Sequence, residues 1–186
     1  MRNRIEHPKV FISYAWGSED YKIKVLSFAT DLMNDGIEVI LDQWSLKEGN
    51  DTYAFMEQSA TDPTITNVLI LLDPVYEKKA NGRDGGVGTE TQIISPEIYN
   101  KVKQEKFLPV IFERGIKGEI PKPQYLKTML HFDLTQEEKY DLEYRRLVKR
   151  LYGIEIVEKA ELGKKPSWLD ERSTIPTKTR SGYEGL

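Results

Sequence analysis

Five consecutive aliphatic residues, Val68-Leu-Ile-Leu-Leu72, constrain this chain more than any other stretch. Successive side chains of a strand point to opposite faces, so an unbroken apolar run must be covered on both. The run predicts the central strand of a parallel sheet between two helical layers. Four other short apolar runs read as strands: Lys9–Tyr14, Ile37–Leu41, Phe107–Phe112 and Leu130–Leu134. Between them lie segments of helical spacing. Ser18, Glu19 and Asp20 open a helix that carries Val25, Leu26, Phe28, Ala29, Leu32 and Met33 and stops at Gly36. Asp51 can cap a second, with Tyr53, Phe55, Met56 and Ala60. A third is expected from near Thr89 through Ile93, Ile94, Ile98, Tyr99 and Val102, with Pro96 requiring either a late start or a kink. The last runs over Gln136–Leu151, with Leu142, Leu147, Val148 and Leu151 on one stripe. Asp73–Gly88 reads as a long polar connection and Ile116–Thr128 as irregular.

This alternation predicts an α/β fold in three layers, with a five-stranded parallel sheet of order 2-1-3-4-5. Val68–Leu72 then sits between strands one and four, and the more alternating Ile37–Leu41 lies at an edge. One domain is expected over residues 1–155. Residues 156–186 are expected to form a tail, docked through Trp168 and Leu169 or flexible, with Pro, Ser, Thr, Lys and Arg dense from Gly163 onward.

Several function classes are disfavoured at once. The 27 basic residues are matched by 30 acidic ones, a net charge of −3, which gives no field to gather a phosphate backbone. No nucleic-acid partner is expected. There is no cysteine, hence no disulfide framework or thiolate metal site. With only two histidines, His7 and His131, no metal centre or His-based triad is expected either. The N-terminal residues lack the apolar core of a signal peptide, and no apolar run approaches the ~18 residues of a membrane span. A cytoplasmic location without membrane association is the resulting expectation.

Ligands of open parallel sheets bind beyond the carboxyl ends of the strands. The chemically rich loops fall at that edge. Ser13-Tyr-Ala-Trp-Gly-Ser18 follows strand one, Asp42–Asp51 with Trp44, Leu46 and Gly49 follows strand two, and Arg83-Asp-Gly-Gly-Val-Gly-Thr-Glu90 closes the connection after strand three. Ser13, Tyr14, Ala15, Trp16, Asp42, Trp44 and Arg83 are the candidate substrate-binding residues. Trp16 and Trp44 each serve either as a lid over the core or as a stacking surface. The glycines of 82–88 do not form a dinucleotide fingerprint, which argues against hydride transfer.

The ordered set Val10-Phe-Ile-Ser-Tyr-Ala-Trp16, Gly36-Ile-Glu-Val-Ile-Leu-Asp-Gln-Trp-Ser-Leu-Lys-Glu-Gly49, Phe55-Met-Glu57 and Gly85-Gly-Val-Gly-Thr-Glu90 resembles the SEFIR branch of the TIR superfamily. The resemblance implies a flavodoxin-like sheet and one of two activities: cleavage of NAD+ or non-catalytic homotypic scaffolding. In the enzymatic members the catalytic residue is a Glu at the start of the helix after strand three, which the resemblance carries to Glu90. Many active members have Trp or Cys four residues earlier, where this chain has Gly86. An aromatic wall for nicotinamide would then come from Trp16, Tyr14 or Trp44. NAD+ would be the substrate, with no bound cofactor. A small chain of this kind is similar to the signal-producing half of bacterial antiphage systems of the Thoeris type, which implies a partner effector protein. The expected self-association runs through the Asp42–Asp51 loop, which is long for a strand-to-helix connection.

Overall fold

The structure is a computed structural model that describes residues 5–82, 93–157 and 159–169. By internal contacts the chain divides into Met1–Ile156 and Val157–Leu186. The described part of the second unit carries one short 3-10 turn, Ser167–Leu169.

The first unit holds five parallel strands, β1 (Lys9–Tyr14), β2 (Glu38–Ile40), β3 (Asn67–Leu72), β4 (Phe107–Ile111) and β5 (Phe132–Asp133), in the order β2-β1-β3-β4-β5. β3 is central. It pairs with β1 (Phe11 opposite Val68, Tyr14 opposite Leu71) and with β4 (Val68 opposite Phe107, Leu72 opposite Ile111). Every residue of β3 is buried, as the apolar run requires.

The two-residue period of the strands splits the core in two. Val10, Ile12 and Tyr14 of β1 join Leu69 and Leu71 of β3 under helices α1 (Glu19–Asn34) and α6 (Tyr140–Leu151). Phe11 and Ala15 join Val68, Ile70 and Leu72 on the opposite face, under α3 (Thr52–Thr61), α4 (Pro74–Asn81) and α5 (Pro96–Lys101). A four-residue helix, α2 (Asp42–Ser45), follows β2. Among the described residues no helix is long and apolar enough to cross a membrane.

The helix boundaries follow from local chemistry. Ser18 caps α1 by accepting from the Tyr21 N–H, Asp51 caps α3 by accepting from Tyr53 and Ala54, and Asp73 caps α4 by accepting from Tyr76. Gly36, at φ +81°, supplies the left-handed turn from α1 into β2.

Three expectations need correction and one open alternative is resolved. Pro74–Asn81 is helical, so Asp73–Gly88 is not one long loop: Pro74 at the first helical position and the Asp73 cap start a helix there. Of the two alternatives left open for the helix around Pro96, the late start holds: α5 begins at Pro96, where a proline without an N–H costs nothing and Ser95 accepts from Ile98, while Thr89 lies outside the described residues. Asp42–Ser45 forms α2 inside what reads as a loop. Leu142 is not on the buried stripe of α6. It sits about 140° around the helix from Leu147, by 100° per residue, and is 61% exposed.

Candidate functional site

The carboxyl ends of β1 and β2 place Tyr14, Trp16 and Asp42 side by side. Asp42 begins α2 and is buried, with 4% of its surface exposed. One of its carboxylate oxygens, Oδ2, accepts from Trp16 Nε1 at 2.7 Å and from the Tyr14 hydroxyl at 3.1 Å. Gln43 locks the same group from the other side, donating from Nε2 to the Tyr14 oxygen at 3.1 Å and to the Lys22 carbonyl at 3.3 Å. The second Asp42 oxygen, Oδ1, is buried and makes no hydrogen bond. An unmatched buried acceptor is costly to the fold.

Burial pushes the Asp42 carboxyl above its usual range, and the hydrogen bonds from Tyr14 and Trp16 pull it partly back. Burial, and then the Asp42 charge, raise Tyr14 well above the ordinary phenol range. Tyr14 therefore stays a neutral donor at any physiological pH.

Beside this network lies an open cleft of about 490 Å³, walled by Tyr14, Trp16 and Asp42 from the sheet edge, by Leu46 and Lys47 from the loop before α3 and by Thr52 at the start of α3. That volume lies within the roughly 300–1,000 Å³ typical of small-molecule sites. Lys22 and Lys47 supply positive charge at its rim, with Glu19 paired to Lys22 at 2.8 Å.

The remaining candidates fall in different places. Ala15 is fully buried, and the Ser13 hydroxyl lies 3.1 Å from the Tyr76 hydroxyl in the opposite layer, away from the cleft. Trp44 is 45% exposed on α2 and does not line the cleft. Glu90 and Arg83 lie outside the described residues. The carboxylate in the first turn of α5 is Glu97, which is exposed. Among the described residues no cluster of His, Asp and Glu could hold a metal ion.

Sequence reasoning missed Asp73. It ends β3 at the point where the helical connections of β1 and β3 leave on opposite faces, and it is 3% exposed. Burial pushes its carboxyl up to about 6, with Glu113 adding repulsion and the Tyr76 N–H and Lys79 opposing. The buried Tyr21 hydroxyl, which makes no hydrogen bond, feels the Asp73 charge as well. The signal for Asp73 was available in the sequence: an acid directly after the most apolar strand and before a proline.

The sequence profile of the SEFIR domain matches residues 8–142. The chain belongs to the SEFIR family. A crystal structure of a prokaryotic SEFIR domain is 43% identical, covering 84% of this SEFIR chain and 99% of the other, with a TM-score of 0.70. The TIR domain of the Toll-related receptor TRR-2 from the lower metazoan Hydra magnipapillata is 15% identical over 76% of this chain and 96% of its own, with a TM-score of 0.51. That second likeness shows a shared fold and nothing finer. No curated protein matches the SEFIR chain.

Proposed function

We propose that this SEFIR protein cleaves the nicotinamide–ribose bond of NAD+, as a component of bacterial antiphage defence that passes a signal to an effector protein. The observation that carries the reading is the cleft at the carboxyl edge of the sheet, walled by Tyr14, Trp16 and Asp42. The Trp16 ring offers an apolar face for a planar base, and Lys22 and Lys47 offer charge to a pyrophosphate.

The chemistry asks little of the protein. The C1′–N bond breaks with its electron pair going to the nicotinamide ring, which leaves as a neutral base and needs no proton. Water adds at C1′ and releases one proton, giving ADP-ribose; attack by an internal nucleophile would give a cyclic product. A carboxylate close to the ribose stabilises the oxocarbenium-like charge between these events. Glu90 is assigned that role by its place in the family motif, with Arg83 as a further substrate-side residue, while Ser13, Ala15 and Trp44 lie off the cleft and are not assigned to it. Glu97, in the first turn of α5, the second helix after β3, serves as the comparison.

Purified protein incubated with NAD+ and analysed by chromatography should release nicotinamide. Glu90→Gln should lower turnover on the order of a hundredfold with folding intact. A Glu90→Gln protein that retains wild-type turnover while Glu97→Gln loses it moves the role to Glu97. Absence of turnover in the wild type at any concentration, or with any activating partner, leaves the scaffolding reading, which the exposed Trp44 on α2 favours.

A further inference from the structure

The cleft has a neighbour. On the far side of Leu46 and Asn50, which line both, a second cavity of about 310 Å³ lies against the first two turns of α3. The ridge between them is a closed turn. The Asn50 N–H donates to the Lys47 carbonyl at 3.0 Å, Asn50 Oδ1 accepts from the Lys47 N–H at 2.8 Å, and Gly49 supplies a φ of +90°. The two cavities differ in chemistry. Lys22 and Lys47 line the first, and Lys47 forms no ion pair among the described residues. Among the described residues no base lines the second, whose polar side chains are Ser45, Asn50, Asp51 and Gln58. Asp51 uses Oδ1 for both cap bonds of α3, at 2.8 and 3.0 Å, and its Oδ2 accepts no hydrogen bond among the described residues. The half-buried Phe55 ring, also lining this cavity, stands edge-on to Phe11 at 5.9 Å, which fixes its plane.

We infer that this second cavity takes the adenosine half of the dinucleotide, with Asp51 accepting from the ribose hydroxyls; the inference rests on the reading of the cleft as an NAD+ site. A dinucleotide is two ring-bearing nucleosides joined by an anionic bridge. The site offers two cavities across one ridge, with cations on one side only. The nicotinamide half and the pyrophosphate belong with the lysines, and the uncharged nucleoside belongs where there is no base. The second volume is near the roughly 300 Å³ lower bound of small-molecule sites, which suits one nucleoside and not the whole molecule. Adenine presents an amino donor at N6 beside an acceptor at N7, and the exposed Gln58 amide carries the matching acceptor and donor. Phe55 supplies an apolar ring against which the base can lie. A carboxylate recognises the two ribose hydroxyls and repels a phosphate that replaces either. Asp51 is thus the residue that selects NAD+ over its 2′-phosphorylated form.

The test is calorimetric titration of the full chain with ADP-ribose, which has no nicotinamide to lose and so reports binding apart from cleavage. ADP-ribose should bind at least about tenfold tighter than its 2′-phosphate, the effect of one like-charge contact. Ala54→Trp fills the cavity from α3 and should weaken ADP-ribose at least about tenfold, while nicotinamide mononucleotide, which has no adenosine, binds as before. Asp51→Asn keeps the α3 cap, because asparagine caps as well as aspartate, and should shrink the preference over the 2′-phosphate at least about fivefold. A folded Ala54→Trp protein that binds ADP-ribose like the wild type overturns the inference. So does one that loses nicotinamide mononucleotide equally, since the two cavities are then not separate subsites. A wild type that binds no ADP-ribose, or an Asp51→Asn protein with the preference unchanged, overturns it as well. Should Ala54→Trp fail to fold, Asp51→Asn decides. ADP-ribose bound in this pattern by a protein that leaves NAD+ intact upholds the adenosine assignment and sinks the cleavage reading alone.

Discussion

Replacing Asp73 by asparagine tests whether a buried carboxylate at the carboxyl edge of the sheet is held there against its own solvation. In the unfolded chain this carboxyl gives up its proton near pH 3.8, and in the folded protein only near 6. Between those values the folded state binds more protons than the unfolded one. Stability therefore falls as pH rises through that window and is flat above it with respect to this group. The shift is about two units, and each unit is worth 1.36 kcal/mol, so the ionised carboxylate costs about 3 kcal/mol at neutral pH. Asparagine keeps the cap on the Tyr76 N–H and carries no charge. Its amide N–H groups need partners, and an unmet one would offset part of the gain by about 1–3 kcal/mol. The difference between pH values is free of that offset. Urea unfolding of both proteins at a series of pH values from about 4 to 7 should give a wild-type stability that declines relative to Asp73→Asn by about 2 kcal/mol, most of the full cost. Other carboxylates titrate in the same range but cancel in the difference. If the two stabilities run parallel across the window, Asp73 ionises as it would in water, and its burial has no electrostatic cost.

Asp42→Ala removes the acceptor shared by Trp16 and Tyr14 and should destabilise the fold by about 2–4 kcal/mol in urea unfolding, with Trp16 fluorescence shifting to that of a wetter indole. Gly36→Ala places a Cβ 2.8 Å from the Tyr152 hydroxyl on a backbone at φ +81°, and should cost about 1–3 kcal/mol in the same assay. Trp44→Ala, at a half-exposed position, should leave the unfolding midpoint nearly unchanged while lowering NAD+ turnover per chain and the concentration dependence of that turnover. Turnover per chain that stays constant down to dilutions where light scattering shows only monomers would rule out assembly through the Asp42–Asp51 loop.

The sheet was legible because its signal is carried by single residues in sequence. An unbroken apolar run cannot lie at an edge, and Val68–Leu72 is central with every residue buried. The caps Ser18 and Asp51 were legible for the same reason, since a cap acts within three residues of itself. Leu142 was misplaced because a leucine in an amphipathic helix is ordinarily core, and only the packing of Leu147 and Leu151 shows which stripe faces inward. The site was legible as a set of loops on one edge but not as a geometry. The bond from Trp16 to Asp42 joins residues 26 apart, and no local pattern reveals that Asp42 turns inward while Trp44, two residues on, turns out. Asp73 was marked in the sequence by its place after the apolar run, but its elevated proton affinity comes from burial, which only the fold shows.

The layer built from α1 and α6 also sets an order of events during synthesis. Asp35, at the end of α1, receives its partners Tyr144 and Tyr152 from 109 and 117 residues later in the chain. Leu147 and Leu151, which complete that side of the core, emerge as late. The opposite layer takes its helices from residues 52–101 and can begin to cover β1 and β3 well before then. A nascent chain on the ribosome thus holds a sheet with one side under its full set of helices and the other under α1 alone until α6 is free of the exit tunnel. At synthesis rates of roughly 5–20 residues per second that interval lasts seconds, and it is the period in which the chain is most exposed to aggregation.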